Sequence, residues 1–134
     1  MTKSEKARQF HKDGYNCAQA VYMAFCEDYG VSLELGAKQA ISFGGGMGGM
    51  RETCGALSGA FMVLGLKSNA KQPPSQEEKQ AHYEAVREFA QYFQSENGSM
   101  IFRELLASEK KPCGDLVTLT ASMLENFLLK KQIV

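Results

Sequence analysis

Three of the four cysteines stand at or just before expected helix starts: Cys17 follows Asn16, Cys54 follows Thr53, and Cys113 precedes Asp115. Asn, Thr and Asp are residues that cap helix N-termini. A thiol placed there faces unpaired backbone amides and the positive end of the helix dipole. Both favour the thiolate, which is the nucleophilic and the metal-ligating form. The spacing therefore predicts sulfurs with lowered pKa, with Cys54 as nucleophile and Cys17 or Cys113 as the resolving thiol. The alternative is that Cys17, Cys54 and Cys113 act together as metal ligands. Cys26 lies nine residues beyond Cys17 in one helix, about half a turn round at 100° per residue, so the two cannot readily share a site. It reads as a small buried apolar residue. His11 and His82 fall on helical faces and read as surface or satisfied side chains rather than ligands. There is no C-x-x-C pair, so zinc ribbons, thioredoxin-like motifs and C-x-x-C-H haem attachment have no support.

A loop with five glycines, Gly44-Gly45-Gly46-Met47-Gly48-Gly49-Met50, precedes Cys54. Two readings stay open for it. In one, Gly45, Gly46 and Gly48, with Gly55 at the next helix start, cradle an anion or cofactor with backbone amides. In the other, the glycines let helices and loop pack closely. Gly44, Gly46 and Gly49 spell G-x-G-x-x-G, but the stretch before them reads as helix and no βαβ unit surrounds it, so no dinucleotide is expected.

The elements that must position these residues are all helical. Thr2 to Asp13 reads as a short helix closed by Gly14, Cys17 to about Tyr29 as a helix capped by Asn16 and stopped by Gly30, and Ser32 caps a third through Phe43. Thr53 is expected to cap a helix from Cys54 to Leu66, and its Gly55, Ala56, Ser58, Gly59 and Ala60 leave one side almost without bulk. A polar stretch with Pro73-Pro74 forms a loop at about 68–75. Ser75 and Glu78 form a capping box for a helix striped by His82, Val86, Phe89, Ala90 and Phe93 and ended by Asn97-Gly98. A short helical segment around Ile101 to Ala107 precedes Pro112-Cys113-Gly114, and Asp115 is expected to cap the last helix, with Leu116, Leu119, Met123 and Phe127 on one face. No segment alternates with period two. The fold class is all-α, a single-domain compact bundle over residues 1–134 with about five to seven helices.

A chain of 134 residues suits one domain, and 15 basic against 15 acidic residues argue against a nucleic-acid partner. No apolar run reaches the roughly 18 residues that a membrane span needs, and the N-terminus lacks a signal-peptide core. A cytoplasmic location is the expectation, where thiols stay reduced and a structural disulfide framework is disfavoured.

The stretches Gly14-Tyr15-Asn16-Cys17-Ala18-Gln19-Ala20-Val21, Phe43-Gly44-Gly45-Gly46-Met47-Gly48 and Cys54-Gly55-Ala56-Leu57-Ser58-Gly59-Ala60 resemble the C_GCAxxG_C_C family of putative redox-active proteins over nearly the whole chain. The resemblance implies a small helical protein with four characteristic cysteines and redox or metal chemistry of unassigned reaction. Cys17, Cys54 and Cys113 match three of the four, and the fourth position is occupied by Phe102 in Phe102-Arg103-Glu104-Leu105-Leu106. Three functional readings follow: thiol redox with a partner protein, binding of a metal ion or iron–sulfur cluster through the same cysteines, or a non-catalytic module that self-associates, for instance as a homodimer, through its small-residue face.

Overall fold

The computed structural model describes residues 1–108 and 113–133, with side chains through Lys130. Its helices are α1 (Lys3–Lys12), α2 (Cys17–Cys26), α3 (Leu33–Ala40), α4 (Gly55–Lys67), α5 (Gln76–Asn97), α6 (Phe102–Ser108) and α7 (Cys113–Ile133), with 3₁₀ turns at Glu27–Tyr29 and Ile41–Phe43. Among the described residues there is no strand, only one isolated bridge between Thr53 and Ile101. No helix among them is long and apolar enough to cross a membrane.

The helix α2 is the axis of the bundle. Every residue from Ala18 to Cys26 is buried, because α1, α3, α4 and α7 all pack around it. A helix apolar on all sides is stable only when neighbours surround it. Ala18, Val21, Tyr22 and Phe25 are thus part of a wholly enclosed cylinder. Asn16 begins it with a reciprocal cap: its Oδ1 accepts from the Gln19 amide and Gln19 Oε1 accepts from the Asn16 amide. Gln19 is buried, and its Nε2 donates to the Ala37 carbonyl at 2.9 Å. Asn16 Nδ2 donates to the Ile41 carbonyl. One N-C-A-Q stretch therefore ties the start of α2 to the C-terminal half of α3 and the residue that follows it.

The helix α4 lies on α2 with almost no side chain between them. A Cβ on Gly59 would stand 2.6 Å from the Ala18 carbonyl oxygen, and one on Gly55 would stand 3.1 Å from the Phe43 carbonyl oxygen and 3.3 Å from the Ala18 amide nitrogen. The small-residue side is filled by the chain's own α2, so it is not a face offered to a second copy.

Several starts and stops differ from expectation. Thr53 does not cap α4; it pairs with Ile101, and Cys54 itself takes the cap position with extended backbone and no side-chain cap bond. Asp115 lies in the first turn of α7, which already begins at Cys113. Pro112 lies outside the described residues. The Ser75–Glu78 capping box is formed, and Gly98 ends α5 in the left-handed conformation at φ 89°. On α5, Phe89 and Phe93 are fully buried, and Phe89 meets Phe127 of α7 edge-on at 5.3 Å.

The close approach yields a test with opposite signs on one helix. Gly59→Ala is expected to destabilise the fold by about 1–3 kcal/mol, since backbone must move to admit the methyl. Gly65→Ala, with nothing within 4 Å, is expected to stabilise it by up to about 1 kcal/mol through reduced chain entropy. Chemical denaturation of the two variants measures both.

Candidate functional site

Three helix starts meet the end of a fourth helix. The corner from α1 into α2 is short: the Tyr15 amide bonds the Phe10 carbonyl, the rings of Phe10 and Tyr15 stack edge-on at 5.8 Å, and Gly14 turns at φ 109°. This corner folds the last turn of α1 over the first residue of α2, so that His11 Nε2 lies 3.9 Å from Cys17 Sγ. On the other side of the same imidazole is the start of α7, where a Cβ on Gly114 would stand 3.7 Å from His11 Nδ1. Cys113 and Cys54 both lie close enough to Cys17 for their charges to act on its thiol, and Cys54 also feels that of Cys113. All four cysteines are free thiols.

The glycine at position 55 sets the spacing inside this cluster. A Cβ there would also come 3.4 Å from Cys17 Cβ, so its absence lets the Cys54 end of α4 sit beside Cys17. Cys54 is 1% exposed, whereas Cys17 and Cys113 are both half-buried. Solvent reaches the cluster through Cys17 and Cys113. Cys26 is fully buried, its Sγ directed at the Met23 and Ser32 carbonyls at 3.9 and 3.8 Å, and Gly36 leaves room for it. It is a packing residue remote from the cluster. His82 sits half-buried on α5 and lines a groove with Leu64 and Phe127.

The electrostatics reverse the expectation of easily ionised thiols. Burial first, then the charges of Cys113 and Cys54 and the Cys113 hydrogen bond, push the Cys17 thiol up from 9.0 to about 12. Burial also raises Cys54; the amides of Ala56 and Leu57 oppose it and are outweighed. Helix-start amides do lie at Cys54, yet loss of water around sulfur costs the anion more than those dipoles return. At Cys17 and Cys54 burial thus favours the neutral thiol over the thiolate.

The glycine loop turns back on itself. Gly45, Gly46, Met47, Gly48 and Gly49 all have φ between 61° and 78°, a run of left-handed residues that four glycines make accessible. The amides of Arg51 and Glu52 bond the Gly45 and Gly46 carbonyls, those of Met47 and Gly49 bond the Phe43 and Gly44 carbonyls, and the Met50 amide bonds the Met47 carbonyl. Gly46 is buried against Arg51 and Glu52, where a Cβ would meet backbone at 2.7 Å, while Gly48 is exposed. The loop bonds chiefly its own backbone, with Met47 Sδ also accepting from Ser58 Oγ of α4 at 4.0 Å, and its effect is to deliver Cys54 to the cluster. Downstream, the Cys54 amide bonds the Met100 carbonyl, and Phe102 and Arg103 amides bond the Glu52 and Arg51 carbonyls. Phe102 thus begins α6 directly beside the strand-like run into Cys54.

Among the described residues no group of three or more His, Cys, Asp and Glu that could hold a metal ion is found. His11 is the site residue that sequence reasoning set aside. Its six-residue separation from Cys17, across a Gly14 turn, was the available signal, but a turn's direction is set by packing.

At the level of pH, burial of neutral Cys17 has a definite sign. Its folded pKa lies above its unfolded one, so it stabilises the fold fully below about pH 9, and that contribution is lost as pH rises towards about 12. Denaturation midpoints measured from pH 8 to 11 are expected to fall, and to fall less steeply in Cys17→Ser.

The family model described as putative redox-active protein (C_GCAxxG_C_C) matches residues 15–127. No curated protein and no solved structure matches the chain.

Proposed function

We propose that this chain, which belongs to the C_GCAxxG_C_C family of putative redox-active proteins, works as a dithiol–disulfide carrier in which Cys17 and Cys113 form the exchanging pair. The observation that carries this reading is the shared imidazole: His11 Nε2 lies 3.9 Å from Cys17 Sγ while its Nδ1 faces Gly114 beside Cys113, so the two sulfurs, both half-buried, stand at one corner of the bundle. For Cys17 and Cys54 the neutral thiol is the stable reduced form, since burial and neighbouring sulfur charge disfavour their anions.

Cys113, half-buried at the start of α7, receives the external disulfide, and Cys17, equally half-buried but with His11 Nε2 at 3.9 Å from its sulfur, resolves it. Cys54 is too deeply buried to meet a partner, and it serves as the inner wall that keeps the pair dry. This reassigns the lead role from Cys54, which helix-start position alone favours, to the sulfur that a second molecule can touch.

The test is oxidation of the reduced protein with an excess of a small disulfide, followed by peptide mapping. A Cys17–Cys113 bond is the expected product, lost in Cys17→Ser and Cys113→Ser and retained in Cys26→Ser. If the wild type yields no intramolecular disulfide within the cluster, the carrier reading fails.

A further inference from the structure

We infer that His11 is the proton acceptor and donor for Cys17 during disulfide exchange, an inference that rests on the dithiol reading above. The geometry points to it. Cys17 Sγ has the imidazole Nε2 at 3.9 Å, sulfur–nitrogen hydrogen-bonding range, and the cluster's other side chains facing that sulfur are the thiols of Cys113 from α7 and Cys54 from the α4 start. A thiol bears no lone charge to accept a second thiol's proton cheaply, whereas imidazole exchanges protons near neutrality. His11 is half-buried at the end of α1, with one ring nitrogen towards the cluster and the other edge against Gly114, so it spans from sulfur to the rim. A resolving thiol that is enclosed and neutral needs such a base, because thiolate and not thiol attacks a disulfide.

The steps balance. A disulfide R–S–S–R is attacked by Cys113, giving the mixed disulfide Cys113–S–S–R and one R–SH. The Cys17 proton passes to His11 Nε2, and the Cys17 sulfur attacks the Cys113 sulfur of the mixed disulfide. The S–S bond to R breaks, the Cys17–Cys113 bond forms, and the leaving R–S⁻ takes the proton from the imidazolium. Two electrons pass from the cysteine pair to the external disulfide, which leaves as two R–SH. In the reverse direction imidazolium protonates the departing Cys17 sulfur. His11 touches a reacting atom and is in that sense catalytic, not merely positioning.

The full chain and the uncharged probe bis(2-hydroxyethyl) disulfide test this. Quenched-flow mass spectrometry separates formation of the Cys113 mixed disulfide from its resolution by Cys17. In His11→Gln, resolution at pH 7 is expected to slow by about 10²-fold, the lower end of general-base effects, while formation of the mixed disulfide is unchanged. The deficit is expected to narrow as pH rises and hydroxide substitutes for the base. Added imidazole is expected to restore the rate in His11→Ala, which a purely structural histidine would not allow. Equal resolution rates in wild type and both variants at pH 7 would overturn the role of His11 while leaving the carrier intact. A wild type that forms the mixed disulfide but never resolves it would overturn the carrier reading itself.

Discussion

The bundle depends on one contact, the passage of α4 across α2 at backbone distance. Gly55 and Gly59 present no Cβ to Ala18 and to the start of α2, and dispersion between closely apposed backbones is gained only where nothing intrudes. This contact does two things at once. It buries the fourth side of a helix that is apolar all round, and it draws the cap position of α4 to the cap position of α2. Cys54 and Cys17 are neighbours because two glycines are neighbours of Ala18.

A second consequence concerns charge. Helix-start amides are worth about 0.3–1 kcal/mol to an exposed anion and up to about 2 in favourable partly buried sites, against 1.36 kcal/mol for each pKa unit. For Cys17 the shift runs the other way, from 9.0 to about 12, so burial and neighbouring sulfurs outweigh the dipole. Crowding and burial make an anion at Cys17 or Cys54 costly, so these two sulfurs pack beside each other as neutral thiols.

The loop and α6 support the cluster from outside. Five successive left-handed residues compress the path from α3 to Cys54, and the carbonyls of Arg51 and Glu52 then receive the amides of Arg103 and Phe102, while Glu52 and Arg103 pair at 3.1 Å. The family resemblance expects a cysteine where this chain has Phe102. Its backbone stays bonded beside the run into Cys54, and its ring packs on the core.

The helices were legible because their causes are local. Asn16 with Gln19, Ser75 with Glu78, and the left-handed glycines Gly14, Gly30 and Gly98 act through hydrogen bonds a few residues long, and the 3.6-residue stripe of α5 is a property of the chain itself. The all-α class and the candidates Cys17, Cys54 and Cys113 could be read from such signals. Thr53 and Asp115 were misjudged as caps because a cap's identity yields to tertiary pairing, here with Ile101 and with an earlier helix start at Cys113. What only the folded molecule decided were quantities that depend on residues far apart in sequence: the depth at which Cys54 lies, the upward shift of Cys17, and the turn that brings His11 onto its sulfur. Solvation and long-range proximity are properties of packing, and a linear pattern carries neither.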